Sequence, residues 1–209
     1  MIRAFLAVEL PQALRTALDS IQQDLKRQFE RAMNQQVRIG WVRVGSLHLT
    51  LKFLGDMPEE SIEPLRSAIQ QAALAHRAFS IPLERLGVFP RPEQPRVLWV
   101  GPSESWEQSH EEERLTALYR AVEDCCQAAN FAPESRSFSP HLTLARMKEM
   151  ERQVGYALAQ SGVMDRPLTI GVLPVSAITL MRSELRPTGS IYTDLWRCKL
   201  AGHEMAGPS

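Results

Sequence analysis

Neither sign of charge prevails in this chain, where 24 Lys plus Arg balance 24 Asp plus Glu over 209 residues. A protein that coats long nucleic acid needs a broad positive field, so the balance argues for local contact with any polyanion. Cysteine is scarce and odd in number, at three. Cys125 and Cys126 are adjacent within a stretch of helical spacing, which points away from a disulfide framework and toward reduced thiols in a cytoplasmic setting. Long apolar runs are missing as well. The opening from Ile2 to Leu10 is broken by Arg3 and Glu9, and nothing later approaches the ~20 residues that a membrane span requires. Histidine is sparse, at five. A zinc site wants three or four clustered ligands, and no histidine has a second ligand at the right spacing, so neither metal nor cofactor is expected.

What remains is an ordinary globular composition with alternating signals of strand and helix. Residues 1–9 alternate, with Ala4, Leu6 and Val8 on one face and Arg3, Phe5 and Ala7 on the other. Pro11 opens a helix whose apolar stripe is Leu14, Leu18, Ile21, Leu25 and Phe29, with Lys, Arg, Gln and Asp on its wet side. Val37 to Val44 and Leu47 to Leu54 read as two strands joined as a hairpin through Gly45-Ser46. Gly55-Asp56 should end the second, with Asp56 capping a helix that carries Ile62, Leu65, Ile69 and Ala72. Phe79 to Phe89 and Arg96 to Gly101 read as strands around a Pro-rich turn. Ser109 and Glu112 resemble a capping box ahead of Leu115, Leu118, Val122, Cys125 or Cys126, and Ala129. A strand from His141 to Arg146, a weaker helix near 149–160, and strands near 168–173, 175–182 and 190–200 complete the body. Residues 1–200 are expected to form one two-lobed domain with a diverged internal repeat, and 201–209 a frayed tail. Short connections and helices laid on one side predict an α+β fold of mainly antiparallel sheets with helices on the outer faces.

The chemistry lies in a doubled string. His-Leu-Thr-Leu occurs at His48 to Leu51 and again at His141 to Leu144, 93 residues apart. With five histidines and eight threonines in the chain, chance would supply about 0.2 His-x-Thr triplets, so two in matching context carry weight. Alternation sets His48, Thr50 and Lys52 on one strand face and Leu49, Leu51 and Phe53 on the other, and it pairs His141 with Thr143 in the same way. Two imidazoles across a cleft can open a cyclic phosphodiester, one taking the proton of water and the other protonating the departing oxygen. Two threonine hydroxyls can donate to the non-bridging oxygens as charge builds there.

These strings resemble the two-histidine phosphoesterases, and within them the bacterial and archaeal RNA 2′,3′-cyclic phosphodiesterases, also called 2′-5′ RNA ligases. The resemblance extends over Ile2-Arg3-Ala4-Phe5-Leu6-Ala7, His48 through Gly55, Pro95 through Gly101 and Phe138 through Arg146, in the family's order. It implies a bilobed pseudo-twofold fold with the site in the cleft between lobes, metal-independent hydrolysis of a terminal cyclic phosphate to a 2′-phosphomonoester, and weak reversible 2′-5′ ligation. It also implies His48 as proton donor to the leaving 3′ oxygen and His141 as proton acceptor from water. Arg146 matches a basic residue that would hold the phosphate, although strict alternation puts it on the Leu142 face unless the strand bends.

Phe5, opposite the aliphatic face of its strand, is a candidate for stacking on a nucleobase. Trp99 and Trp196 read as core, and His76, His110 and His203 as solvated surface. The expected partner is RNA with a cyclic phosphate terminus, tRNA fragments included, bound by a monomer. Two alternatives stand beside this reading. One is a two-histidine enzyme for a small cyclic nucleotide or ADP-ribose cyclic phosphate; the other is a non-catalytic RNA-end binding module.

Overall fold

The computed structural model describes residues 1–32, 39–148, 151–165, 168–186 and 189–202. Strand β1 (Ile2–Glu9) leads into helix α1 (Gln12–Ala32), then β2 (Ile39–Trp41), β3 (His48–Met57) and α2 (Ile62–Ala75). Strands β4 (Phe79–Leu83), β5 (Arg85–Phe89) and β6 (Val97–Gly101) precede α3 (His110–Ala128) and β7 (Leu142–Met147). Helix α4 (Glu151–Ser161) and strands β8 (Gly171–Val175), β9 (Ala177–Arg186) and β10 (Gly189–Lys199) complete the order. The fold is α+β, with one sheet ordered β10-β9-β1-β3-β7-β6-β5, β2 attached to β7, and a small β4-β8 sheet. Every pairing between these strands is antiparallel.

The four α-helices among the described residues pack into one core against one face of the large sheet. Leu14, Leu18, Leu65, Ile69, Leu115, Leu118, Val154 and Leu158 join Ala4, Leu6, Val8, Leu49 and Leu142 in a single core. The side chains from β1 that point the other way, Phe5 and Ala7, form a separate small cluster with Met181 and Tyr192. The helix-free face is therefore where polar residues of the strands can meet a ligand. Among the described residues no helix is long and apolar enough to cross a membrane.

The large sheet consists of two arms, β10-β9-β1-β3 and β7-β6-β5, and the described pairing between them is a bridge at Leu49 and Leu142. The arms share a register. In the first, Ala7 faces Thr50 and Leu6 faces Lys52, so Leu51 is an extra residue. In the second, Trp99 faces Thr143 and Leu98 faces Ala145, so Leu144 is extra in the same way. Each His-Leu-Thr-Leu string thus ends on a β-bulge, which reverses the inward and outward phase of the residues after it.

Several expectations from the sequence need correction. The Gly45-Ser46 turn does not close a hairpin, because β2 pairs with β7 and a 3-10 turn at Val44–Ser46 carries the chain onward along the same edge. Strand β3 continues through Gly55, whose φ of +72° suits a bulge, to Met57. Asp56 consequently pairs with Arg3 and caps nothing. The expected strand from Phe79 to Phe89 is two, since at Glu84 the chain leaves β8's partner for the edge beside β6. Ala201 is tied down by its contacts with His76 and Ala78, so the tail does not fray there. The parts of the second predicted strand at 37–38, the helix start at 149–150 and the tail with His203 lie outside the described residues. Of the capping box read on α3 the Ser109 half forms, with Ser109 Oγ accepting from Glu112 N at 3.4 Å, whereas Ser109 N donates to Trp106 O and the Glu112 carboxylate accepts from Thr116 Oγ1.

Candidate active site

Directly opposed residues of an antiparallel pair project to the same side. Leu49 and Leu142 are such a pair and both are buried on the helix side. Their sequence neighbours His48, Thr50, His141 and Thr143 must then all project from the helix-free face, around one bridge between strands ~4.8 Å apart. The sequence placed two histidine-threonine pairs on strands; the bridge brings them together.

Each imidazole is oriented by the same device. His48 Nδ1 lies 2.8 Å from Ser46 O, and His141 Nδ1 lies 2.8 Å from Ser139 O. A carbonyl only accepts, so each Nδ1 carries hydrogen and donates it. That leaves Nε2 of both rings to exchange protons with a ligand. Aromatic side chains wall both rings. His48 packs against Phe5, at 4.6 Å between centroids, and edge-on against Tyr192 at 5.2 Å. His141 meets Phe89 edge-on at 5.0 Å and Trp99 at 6.2 Å.

These walls withhold water from the charged forms. Burial pushes the His48 ring from 6.5 down to about 4, opposed by its bond to Ser46 and reinforced by the charges of Arg146 and His141. Burial also lowers His141, opposed by Ser139 and reinforced by Arg146. Arg146 therefore acts on both rings, which places its charge in the same locality. The bulge at Leu144 explains how it gets there. After the extra residue, Ala145 turns inward and Arg146 emerges exposed on the Thr143 side, so the conflict with strict alternation disappears.

The corresponding bulge at Leu51 reverses two assignments made by alternation. Lys52, expected beside His48 and Thr50, is 4% exposed in the core. Its Nζ lies 2.6 Å from Glu123 Oε1 and donates to Ala132 O at 2.7 Å. Phe53, expected among the leucines, is instead 58% exposed and 6.1 Å from Phe5. Phe5 itself is 3% exposed, covered by His48, Phe53 and Tyr192. Its ring supports His48 and offers no free face to a base.

A profile of the 2′-5′ RNA ligase superfamily matches residues 10–186. The chain belongs to the 2′-5′ RNA ligase superfamily. A relative from Methanothermobacter thermautotrophicus, an RNA 2′,3′-cyclic phosphodiesterase, is 32% identical over 194 residues, 93% of this chain and 96% of its own length. One of the same name from Thermus thermophilus is 33% identical over 206 residues, covering 96% and 91%. Curated superfamily relatives thus carry an enzyme name, and this chain is an enzyme of that kind. A crystal structure from Thermus thermophilus superposes with a TM-score of 0.68 at 30% identity, over 97% of this chain and 100% of that one. Escherichia coli LigT, crystallised with 3′-AMP, shares the fold at a TM-score of 0.71 and 23% identity, over 96% and 99%.

In this superfamily member, the residues that sequence reasoning missed are Tyr192 and Phe89, which wall the imidazoles. Their strands are recognisable, but which face meets the histidines depends on pairing with β9 and β6. Trp99 and Trp196 are buried as read. His110 is exposed beside Glu113, whereas His76 is half-buried at the end of α2. Among the described residues no three His, Cys, Asp or Glu side chains converge as metal ligands.

Proposed function

We propose that the protein hydrolyses the terminal 2′,3′-cyclic phosphate of RNA to a 2′-phosphomonoester, with His48 and His141 as the proton-transferring pair. The observation that carries this is the two Nε2 atoms left available on one sheet face, each ring fixed by an identical bond to the carbonyl two residues before it. Water attacks phosphorus and gives its proton to His141 Nε2. The bond from phosphorus to O3′ breaks, and His48 Nε2 protonates O3′. Thr50 and Thr143 donate to the non-bridging oxygens, and Arg146 holds the phosphate. Because the free His48 ring is the more strongly neutral, the acid role requires the substrate's negative charge to offset Arg146 and restore a proton to the pair.

The same site supports weak 2′-5′ ligation when a ribose hydroxyl of a second RNA replaces water, and the two rings then exchange roles in the reverse direction. Phe53, exposed beside Thr50 across the bulge, is the aromatic available to a nucleobase. The matched registers of the arms support reading them as diverged copies of one unit within a single domain. The test is to give chelator-treated protein an oligonucleotide ending in a 2′,3′-cyclic phosphate and identify the product. A 2′-monoester is expected. A 3′-monoester would contradict the leaving group, and no turnover would leave an RNA-end binder. Preference for cyclic mononucleotides over the oligonucleotide would assign a small-molecule substrate.

A further inference from the structure

Gln22 is 1% exposed, embedded in the apolar stripe of α1 between Leu18 and Leu25. It does not belong to the wet side on which the helix pattern set its glutamines. A buried carboxamide is costly unless its hydrogens find partners. Here they find two backbone carbonyls, Val42 O at 2.9 Å and Leu144 O at 2.9 Å. Val42 directly succeeds β2 and begins the approach to His48. Leu144 is the bulge residue of β7, two before Arg146, and its carbonyl also accepts from Val42 N at 2.9 Å. Two turns earlier on the same helix face, Arg15 donates to Gly45 O at 2.9 Å and to Leu10 O at 3.0 Å. Helix α1 thus grips the segment leading into the first histidine at two points and reaches across to the bulge of the second motif strand.

We propose that Gln22 is a positioning residue for the reaction: by joining Val42 to the Leu144 carbonyl it holds the β7 bulge that turns Arg146 toward the two histidines. Without the extra residue, alternation returns position 146 to the core face. Gln22 touches no substrate and acts through Arg146. This rests on the reading of Arg146 as the phosphate holder.

The test is a double-mutant cycle on kcat/KM for an oligonucleotide 2′,3′-cyclic phosphate, using the parent, Gln22→Met, Arg146→Ala and the double variant. Methionine keeps the volume and removes the hydrogen bonds. Rates are normalised to the folded fraction from circular dichroism. Gln22→Met is expected to lower kcat/KM about tenfold or more in the parent and less than about twofold in the Arg146→Ala background. Both single variants are also expected to raise the NMR titration midpoints of both imidazoles, since the Arg146 charge lowers them. If Gln22→Met does not fold, Gln22→Asn, one carbon too short to reach, takes its place in the same cycle. Equal losses in both backgrounds, or unmoved midpoints with Gln22→Met, would overturn the role given to Gln22 alone. An Arg146→Ala variant with full activity would take down the phosphate reading and this role with it.

Discussion

The two motif strands share four residues and a bulge, and differ in the two positions after it. In β3 these are Lys52 and Phe53; in β7 they are Ala145 and Arg146. Since both bulges reverse the phase, the first of each pair turns inward and the second turns out over the site. One arm therefore buries its cation and presents an aromatic ring, and the other buries a methyl and presents its cation. A symmetric pair of imidazoles is thereby set in an asymmetric surround, with an exposed guanidinium on one side and an exposed phenyl ring on the other.

The largest effect tests what the arms have in common. Either His48→Ala or His141→Ala should reduce kcat by about 10² to 10⁴, and the double variant should be little worse than the poorer single one, because both rings serve one step. Steady-state turnover of the cyclic-phosphate oligonucleotide reads this. Equal activity after loss of one ring would break the symmetry of role altogether.

The next tests address the differences. Arg146→Ala should cost about 10² in kcat/KM, with a pH signature. The productive pair holds one proton, so kcat/KM should peak on the acid side of neutrality, between the His48 titration at about 4 and the lowered His141 titration, and fall as pH rises beyond both. Removing the cation raises both imidazoles and should move the profile to higher pH. An unmoved profile would mean that Arg146 does not act on the rings. The counterpart in the other arm is structural. Lys52 and Glu123 are buried, with side chains 3% and 12% exposed, and Glu123 Oε1 also accepts from Glu134 N at 2.9 Å. Lys52→Met strands the carboxylate and should cost about 3 to 5 kcal/mol in chemical denaturation, most of it regained in Lys52→Met/Glu123→Leu. A smallest effect is expected for Phe53→Ala, about 1 to 3 kcal/mol of base stacking, which should raise KM for oligonucleotides and leave the pH profile alone.

The sequence discloses this site unevenly, for identifiable physical reasons. His48, Thr50, His141 and Thr143 are legible because period-2 alternation is a local property of a strand. The capped start of α3 is legible because Ser109 and Glu112 lie within one turn. A bulge exists only relative to a partner strand. Nothing in Leu51-Lys52-Phe53 or Leu144-Ala145-Arg146 marks the extra residue, so alternation alone sets Lys52, Phe53 and Arg146 on the wrong faces. The partner of β2 is hidden for the same reason, since Gly45-Ser46 suits a hairpin and a 3-10 turn equally. Gln22 cannot be told from its exposed neighbours because its partners, Val42 and Leu144, lie 20 and 122 residues away.

The most direct measurement is a crystal structure with a nucleoside 2′-monophosphate, the product's terminal group, bound in the cleft. The phosphate is expected within hydrogen-bond reach of Nε2 of both His48 and His141, with Arg146 on one of its oxygens. A phosphate that meets only one of the two rings, or sits away from the Leu49 and Leu142 bridge, would contradict the account.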